Sequence, residues 1–227
     1  MRKNTLKTSA VKIKACLFDL DGVVVDTAKY HFIAWKELAA GLGFDFTERE
    51  NELLKGVSRM RSLDILLDIG KITLREEEKL RLAESKNERY LGYVRRMTED
   101  EILPGVARFL DELRRNGLLI ALGSASKNAP LILERIRLLD KFDAIVDGNA
   151  VTQAKPDPEV FLKCAELLKV KPEACLVFED AQAGIEAALN GGMKVIGVGS
   201  PDNLSLADHF ISGFETFTYK TLTDWYS

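Results

Sequence analysis

The sequence predicts an α/β protein: a parallel sheet with helices on both faces, and a small helical domain inserted after the first strand. Three observations predict it. Short apolar runs that read as buried strands alternate with helical patterns over most of the chain. The first such run stops abruptly at an acidic Asp-Leu-Asp-Gly, residues 19–22. From about residue 27 to residue 97 the alternation fails, leaving helical patterns and no convincing strand.

The elements follow in order. Residues 13–20 form an apolar run of buried-strand type. Residues 27–97 are rich in Glu, Lys, Arg and Leu, with turns at 41–46 and 55–58. A helix over 104–116 opens on Pro104 and stops at Gly117, as helix ends should. Strands are then expected over 118–123, 143–146, 175–178 and 195–198, with helices over 128–139, 158–168 and 181–190. The expected organisation is therefore a core of 1–26 and 98–227 and a cap of 27–97, with residues 1–10 as a loose extension.

Bulk properties narrow the function classes. The 227 residues are 46% hydrophobic and 30% charged, with 32 basic against 35 acidic side chains. A net charge of -3 spread along the chain gives no global field for nucleic acid or an anionic membrane. No run approaches the ~20 apolar residues of a membrane span, and the N-terminus lacks the apolar stretch of a signal peptide. Cys16, Cys164 and Cys175 are odd in number and lack metal-type spacing, so buried, reduced thiols and a cytoplasmic protein are expected.

Chemistry is expected beyond the carboxyl ends of the strands. Asp19, Asp21 and Gly22 sit there after the first strand, and 123–128 (GSASKN) after the second. Lys155-Pro156 and Glu179-Asp180 follow the next two strands. Carboxylates crowded together repel, so several ionised groups need a cation, and all-oxygen donors suit Mg²⁺. Ser124, the following backbone N–H groups and Lys155 suit a phosphoryl group. Asp19 can then attack phosphorus as a nucleophile, while Asp21 acts as general acid and base. Helix capping by Asp19 and Asp21, or a solvated loop position for Lys155, is the plainer alternative. Ser124 can cap a helix as well as bind phosphate.

Asp19-Leu20-Asp21-Gly22, Ser124, Lys155 and Glu179-Asp180, in that order, resemble the four motifs of the haloacid dehalogenase superfamily. DxD alone is a weak signal; four motifs in order at strand ends are a specific one. The resemblance implies a Rossmann-like core and an aspartyl-phosphate at Asp19. It implies Mg²⁺ held by Asp19, Asp180 and the Asp21 carbonyl, with Glu179 supporting the metal site.

The likeness narrows further. FDLDGVVVDTAKYHFIAWKELA, LKGVSR, Lys86 before Asn87, SASKN, AKPDPEVF and FEDAQAGIEAA are similar to the β-phosphoglucomutase family over nearly the whole chain beyond the extension. LKGVSR is informative because it falls in the cap, where superfamily members differ most. The resemblance implies conversion of β-glucose 1-phosphate to glucose 6-phosphate through a glucose 1,6-bisphosphate, which also serves as activating phosphoryl donor. The bisphosphate must turn end for end, so the site binds phosphate twice. Lys155 with Ser124 would form one place, and Arg59 with Ser126 and Asn128 the other, with Ala125 also among the substrate- and phosphate-binding residues. Gly56, Val57, Ser58 and Ser62 would shape the sugar site, with Lys55 as a sugar contact. Thr27 would orient Asp21 or act at the hinge. His31 is either a structural histidine or, with Lys86, an aid to placing Asp21; Trp35 belongs to the cap core or to the sugar site. His209 has no motif. The sequence departs from the family pattern in its N-terminal extension and at Gly123, where alanine is expected and a loosened turn would follow. A monomer is expected because the cap must swing freely. A sugar-phosphate phosphatase with a leakier lid, and a non-catalytic sugar-phosphate sensor, are the rival readings.

Overall fold

A computed structural model describes residues 12–54, 57–202 and 204–226. Six strands form one parallel sheet: β1 (Ala15–Phe18), β2 (Leu119–Gly123), β3 (Ala144–Val146), β4 (Cys175–Glu179), β5 (Lys194–Val198) and β6 (His209–Ile211), in the order β3-β2-β1-β4-β5-β6. All four residues of β1 are buried, as a central strand covered on both faces requires. Its neighbours β2 and β4 pair with it in register, Phe18 lying beside Leu122 and Phe178. The loops that leave β1, β2 and β4 therefore emerge side by side at the middle of one edge.

Among the described residues, nine α-helices accompany the strands. Four lie between β1 and β2: α1 (Ala28–Gly41), α2 (Glu48–Asn51), α3 (Arg59–Ile69) and α4 (Glu76–Val94). The remainder are α5 (Val106–Arg115), α6 (Ala129–Arg135), α7 (Glu159–Leu168), α8 (Gln182–Asn190) and α9 (Tyr219–Tyr226). α5 buries Val106, Phe109, Leu110 and Leu113, the spacing of one helical face, and carries Arg114 and Arg115 at its carbonyl end. The sheet separates two apolar clusters. One centres on Phe18, Phe109, Phe178 and Phe214, the other on Leu17, Val177, Phe161 and Ile185. The inserted helices have an apolar cluster of their own, including Trp35, Leu38, Phe46, Leu63 and Leu66.

The structure departs from the expected elements in three places. The helix expected over 128–139 ends at Arg135, because Arg137 takes a left-handed conformation (φ +55°) that stops it. β6 and α9 carry no clear pattern in the sequence. His209 lies in β6, stacked on Trp225 of α9 with ring centroids 4.2 Å apart, which gives it a packing role. The extension 1–10 lies outside the described residues.

Candidate active site

The strand ends build the floor of the site. Asp19 follows β1 directly and is 4% exposed. Its Oδ1 accepts from Lys155 Nζ at 2.5 Å, and its Oδ2 accepts from the Asp21 backbone N–H at 3.0 Å. Lys155 also donates to Glu179 Oε2 at 2.8 Å and to the Gly123 carbonyl at 3.2 Å. All three ammonium donors are thus in use, and Lys155 is itself buried. Burial alone would lower its pKa, but Asp19 and Glu179 outweigh it and hold the ammonium well above its ordinary range.

Two glycines let the acids meet. Gly22 has φ +85°, and a Cβ there would stand 2.1 Å from Asp180 Oδ2, so only glycine brings the first loop against the last acid. A Cβ at Gly184, on α8, would fall 2.0 Å from Glu179 Cδ. Glu179 is fully buried, with Oε1 accepting from the Ala181 backbone N–H at 3.2 Å. Burial and the charges of Asp19 and Asp180 push its pKa up. Asp19, Glu179 and Asp180 each bring a carboxylate oxygen within 4.8 Å of the others. Clustered hard oxygens with one lysine among them fit a magnesium ion.

The second loop is a pair of hydroxyl turns. Ser124, 1% exposed, accepts at Oγ from the Ser126 N–H at 3.1 Å, and Ser126 Oγ accepts from the Asn128 N–H at 3.2 Å. Asn128, not Ser124, stands at the N-cap position of α6. Gly123 does not loosen this turn. It ends a paired strand, and a Cβ there would lie 2.9 Å from Phe161 Cδ1, so its bareness seats the Phe161 ring. That ring centroid lies 4.7 Å from Lys155 Nζ.

The inserted helices supply the roof. A cavity of about 200 Å³ lies between roof and floor. Its floor includes Asp19, Asp21, Ser124, Ala125, Ser126, Asn128 and Asp180. Val57, Ser58, Arg59, Ser62, Trp35, His31 and Lys86 face it from the roof. Ser58 caps α3, accepting from the Arg61 N–H at 3.3 Å, which sets Arg59 on the first turn. Ser62 donates to the Leu54 carbonyl at 3.4 Å. Trp35 belongs both to the cap's apolar cluster and to the cavity wall. Lys55 and Gly56 lie outside the described residues.

Asp21 stands where floor and roof meet. Burial, then Asp19, raises its pKa to about 6, against the opposing pull of Thr27, Lys86 and Lys155. Thr27 Oγ1 donates to its Oδ1. His31 Nε2 is 3.9 Å from the same oxygen, while His31 Nδ1 is 2.8 Å from Lys86 Nζ. Burial, then the Lys86 and Arg59 cations, keeps His31 neutral. When Lys86 carries its proton it can only donate, so Nδ1 then accepts and the ring proton sits on Nε2, toward Asp21. His31 thus packs on Tyr90 within the inserted helices and turns Nε2 toward Asp21.

Two residues that the sequence did not single out for the site belong near it. Asn87 Oδ1 accepts from Asn128 Nδ2 at 3.0 Å, joining roof to floor. Tyr90, one turn beyond Lys86, packs its ring on His31 with centroids 4.0 Å apart. Both fall in or beside a Glu-rich stretch that reads as solvated. Tyr90 stands four residues after Lys86, on the same helical face, and that spacing is its signal in the sequence; Asn87 has none of this kind.

A buried carboxylate held by a lysine, a second carboxyl group with a raised pKa and an acidic pair suited to a cation fit a phosphoryl-transfer enzyme. The chain belongs to the haloacid dehalogenase-like hydrolase family, whose sequence profile matches residues 13–192. It is similar to the β-phosphoglucomutase of Bacillus subtilis (strain 168), 41% identical over 212 residues that cover 92% of this chain and 94% of the relative. The crystal structure of β-phosphoglucomutase from Clostridium difficile superposes with a TM-score of 0.90 at 42% identity, covering 94% of this chain and 97% of that one. A phosphorylated carbohydrates phosphatase of Thermotoga maritima is 34% identical over 81% of this chain and 84% of its own length.

Proposed function

We propose that the chain is a β-phosphoglucomutase that converts β-glucose 1-phosphate to glucose 6-phosphate through a phosphorylated Asp19. One observation carries the reading beyond the family. The cavity has Asp19, Ser126 and Asn128 on its floor and the Arg59 cation on its roof. A monophosphate needs one anion site; a sugar that carries phosphate at both ends needs two.

The chemistry runs as follows. An Asp19 carboxylate oxygen attacks phosphorus, a new P–O bond forms, and the bond to the sugar oxygen breaks. Asp21, protonated below its raised pKa, gives its proton to the departing oxygen. In the reverse sense Asp21 takes the proton from the sugar hydroxyl that attacks phosphorylated Asp19. Lys155 holds Asp19 and offsets the meeting of two anions. Ser124, with the Ala125 amide, offers donors to the phosphoryl oxygens. Asp19, Asp180 and the Asp21 carbonyl, supported by Glu179, would hold Mg²⁺, which neutralises charge on the transferring group. Arg59, with Ser126 and Asn128, grips the other phosphate. Val57, Ser58, Ser62 and Trp35 shape the sugar space. Thr27, His31 and Lys86 set Asp21.

Residues 27–97 act as one lid that excludes water, and remote phosphate binding drives its closure. Glucose 1,6-bisphosphate primes the enzyme by phosphorylating Asp19. Sugar phosphates are the partners, and a freely swinging lid suits a monomer. Among the described residues no helix is long and apolar enough to cross a membrane. Three buried free thiols suit a reducing cytoplasm.

The test supplies β-glucose 1-phosphate, Mg²⁺ and a trace of glucose 1,6-bisphosphate, and scores glucose 6-phosphate and free phosphate together. Isomer without free phosphate is expected, with all turnover lost in Asp19→Ala. Free phosphate dominating across several sugar phosphates would overturn the mutase reading and leave a phosphatase.

A further inference from the structure

Asn128 stands at the N-cap of α6, where an asparagine side chain ordinarily accepts from a free N–H of the first turn, yet it makes no such bond. Its amide turns to the roof instead, and Nδ2 donates to Asn87 Oδ1 at 3.0 Å. Asn87 lies in the interior of α4, where asparagine is a poor helix former. Both residues give up a local advantage, and the bond they share crosses from the inserted helices to the core.

That bond lies where movement of the lid is felt. The end of α4 is joined to α6 a second time, by Arg135 Nη2 donating to the Arg95 carbonyl at 2.6 Å. The lid proposed above ends at residue 97, two residues beyond Arg95. Asn87 is eight residues back along the chain, about 12 Å of helix, and lines the cavity with Asn128. A lid that lifts about its Arg95 end therefore keeps the Arg95 bond and parts Asn87 from Asn128. The parting matters to a ligand. Asn128 Nδ2 carries two protons; Asn87 takes one, and among the described residues the other has no acceptor. An amide held by its first proton has a fixed plane, so its second is aimed; a released amide turns freely.

We propose that Asn87 is a positioning residue for the remote phosphate: with the lid down it fixes the Asn128 amide so that the second Nδ2 proton meets a phosphoryl oxygen, and with the lid up that aimed donor is lost. The inference rests on the phosphate role of Asn128 proposed above. It makes the second anion place a property of the closed molecule, so that grip on the far phosphate and exclusion of water from Asp19 arrive together.

Asn87→Ala tests it in the full chain with Mg²⁺, beside Asn128→Ala and the double variant; alanine suits the middle of a helix, so α4 is retained. The first reading is the calorimetric Kd for glucose 1,6-bisphosphate in an Asp19→Asn background, which has no nucleophile to take up phosphate. The second is the free phosphate formed per glucose 6-phosphate with Asp19 intact. Asn87→Ala should raise Kd about tenfold, as one weakened hydrogen bond to a charged group would, and should raise the share of free phosphate. Added to Asn128→Ala it should change Kd by no more than about twofold, because Asn87 acts through Asn128. A Kd for Asn87→Ala within about twofold of the parent would overturn the proposal, and so would losses that multiply in the double variant, which would put Asn87 on the ligand itself. The two readings fail separately. If Asn128→Ala binds as tightly as its parent, the phosphate role of Asn128 falls and the inference with it. If Asn128→Ala weakens binding and Asn87→Ala does not, the inference alone falls. If the wild-type chain releases phosphate in place of isomerising, the mutase reading fails, and the Kd comparison still decides the role of Asn87.

Discussion

Position 123 shows how an absent side chain can set a catalytic one. The Phe161 ring packs against the bare backbone of Gly123, and Lys155, which holds Asp19, rests over that ring. In Gly123→Ala the new methyl would meet Phe161 Cδ1 at 2.9 Å and Cys164 Sγ at 3.2 Å, both fully buried. Neither neighbour has open space to retreat into, so overpacking should cost ~1–3 kcal/mol. Urea unfolding should show a lower midpoint at an unchanged slope. Because the displaced ring carries Lys155 with it, kcat should fall as well; full activity and full stability together would show that the ring gives way freely. The wider lesson concerns which residues sequence reveals. Asp19, Asp21 and Glu179-Asp180 are legible because they come directly after buried apolar runs, and Lys155 because it sits in AKPDPEVF, a segment that carries the family resemblance. Phe161 reads as ordinary core and Gly123 only as a loosened turn, because their effect arises from contact between β2 and α7, which no local pattern encodes.

At the scale of elements, α4 is the informative case. Its sequence is a run of charges that reads as a solvated face, and Glu76, Glu77 and Glu78 do favour its first turn. Ala83, Lys86, Tyr90 and Val94 nonetheless form a buried stripe along it. Strand assignments succeeded where apolar runs ended sharply, as for β1 and β4. β6, a three-residue strand containing a histidine, is too short for a period and depends on pairing with β5. Lys86 was singled out by a resemblance; its burial follows only from how α4 packs on α1. That burial, then the Arg59 charge, lowers its pKa from 10.5 to about 7, with Asp21 opposing. The sign of the linkage is fixed. Between pH 7 and 10.5 the unfolded chain keeps the Lys86 proton and the folded chain loses it. Stability from this group therefore rises with pH across that window, by up to ~1.4 kcal/mol per pH unit, and is lost as pH falls toward 7. Lys86→Met removes the titration. The difference in unfolding free energy, wild type minus Lys86→Met, should grow from pH 7 to 10; a flat difference would mean that Lys86 keeps its proton on folding.

For the molecule as a whole, the strand order creates a charge problem that is also the function. β1 and β4 are adjacent at the sheet centre, so their loops converge with Asp19, Asp21, Glu179 and Asp180, and Lys155 is the cation hydrogen-bonded among them. The raised pKa values of Asp21 and Glu179 both follow from burial together with this crowding. A magnesium ion that binds the folded chain and not the unfolded one should relieve it, stabilising by ~2.7 kcal/mol at a hundredfold excess over Kd. The melting temperature should therefore climb with Mg²⁺ and be lowered again by a chelator. Asp180→Asn makes the explanation specific. It removes one repelling charge and one metal ligand, so the variant should melt at or above wild type without magnesium, yet gain little when the ion is added. The two curves should cross as Mg²⁺ rises. Parallel curves would mean that magnesium acts elsewhere on the surface. A variant less stable than wild type at every concentration would mean that Asp180 is held by its neighbours more strongly than it is repelled by the other acids.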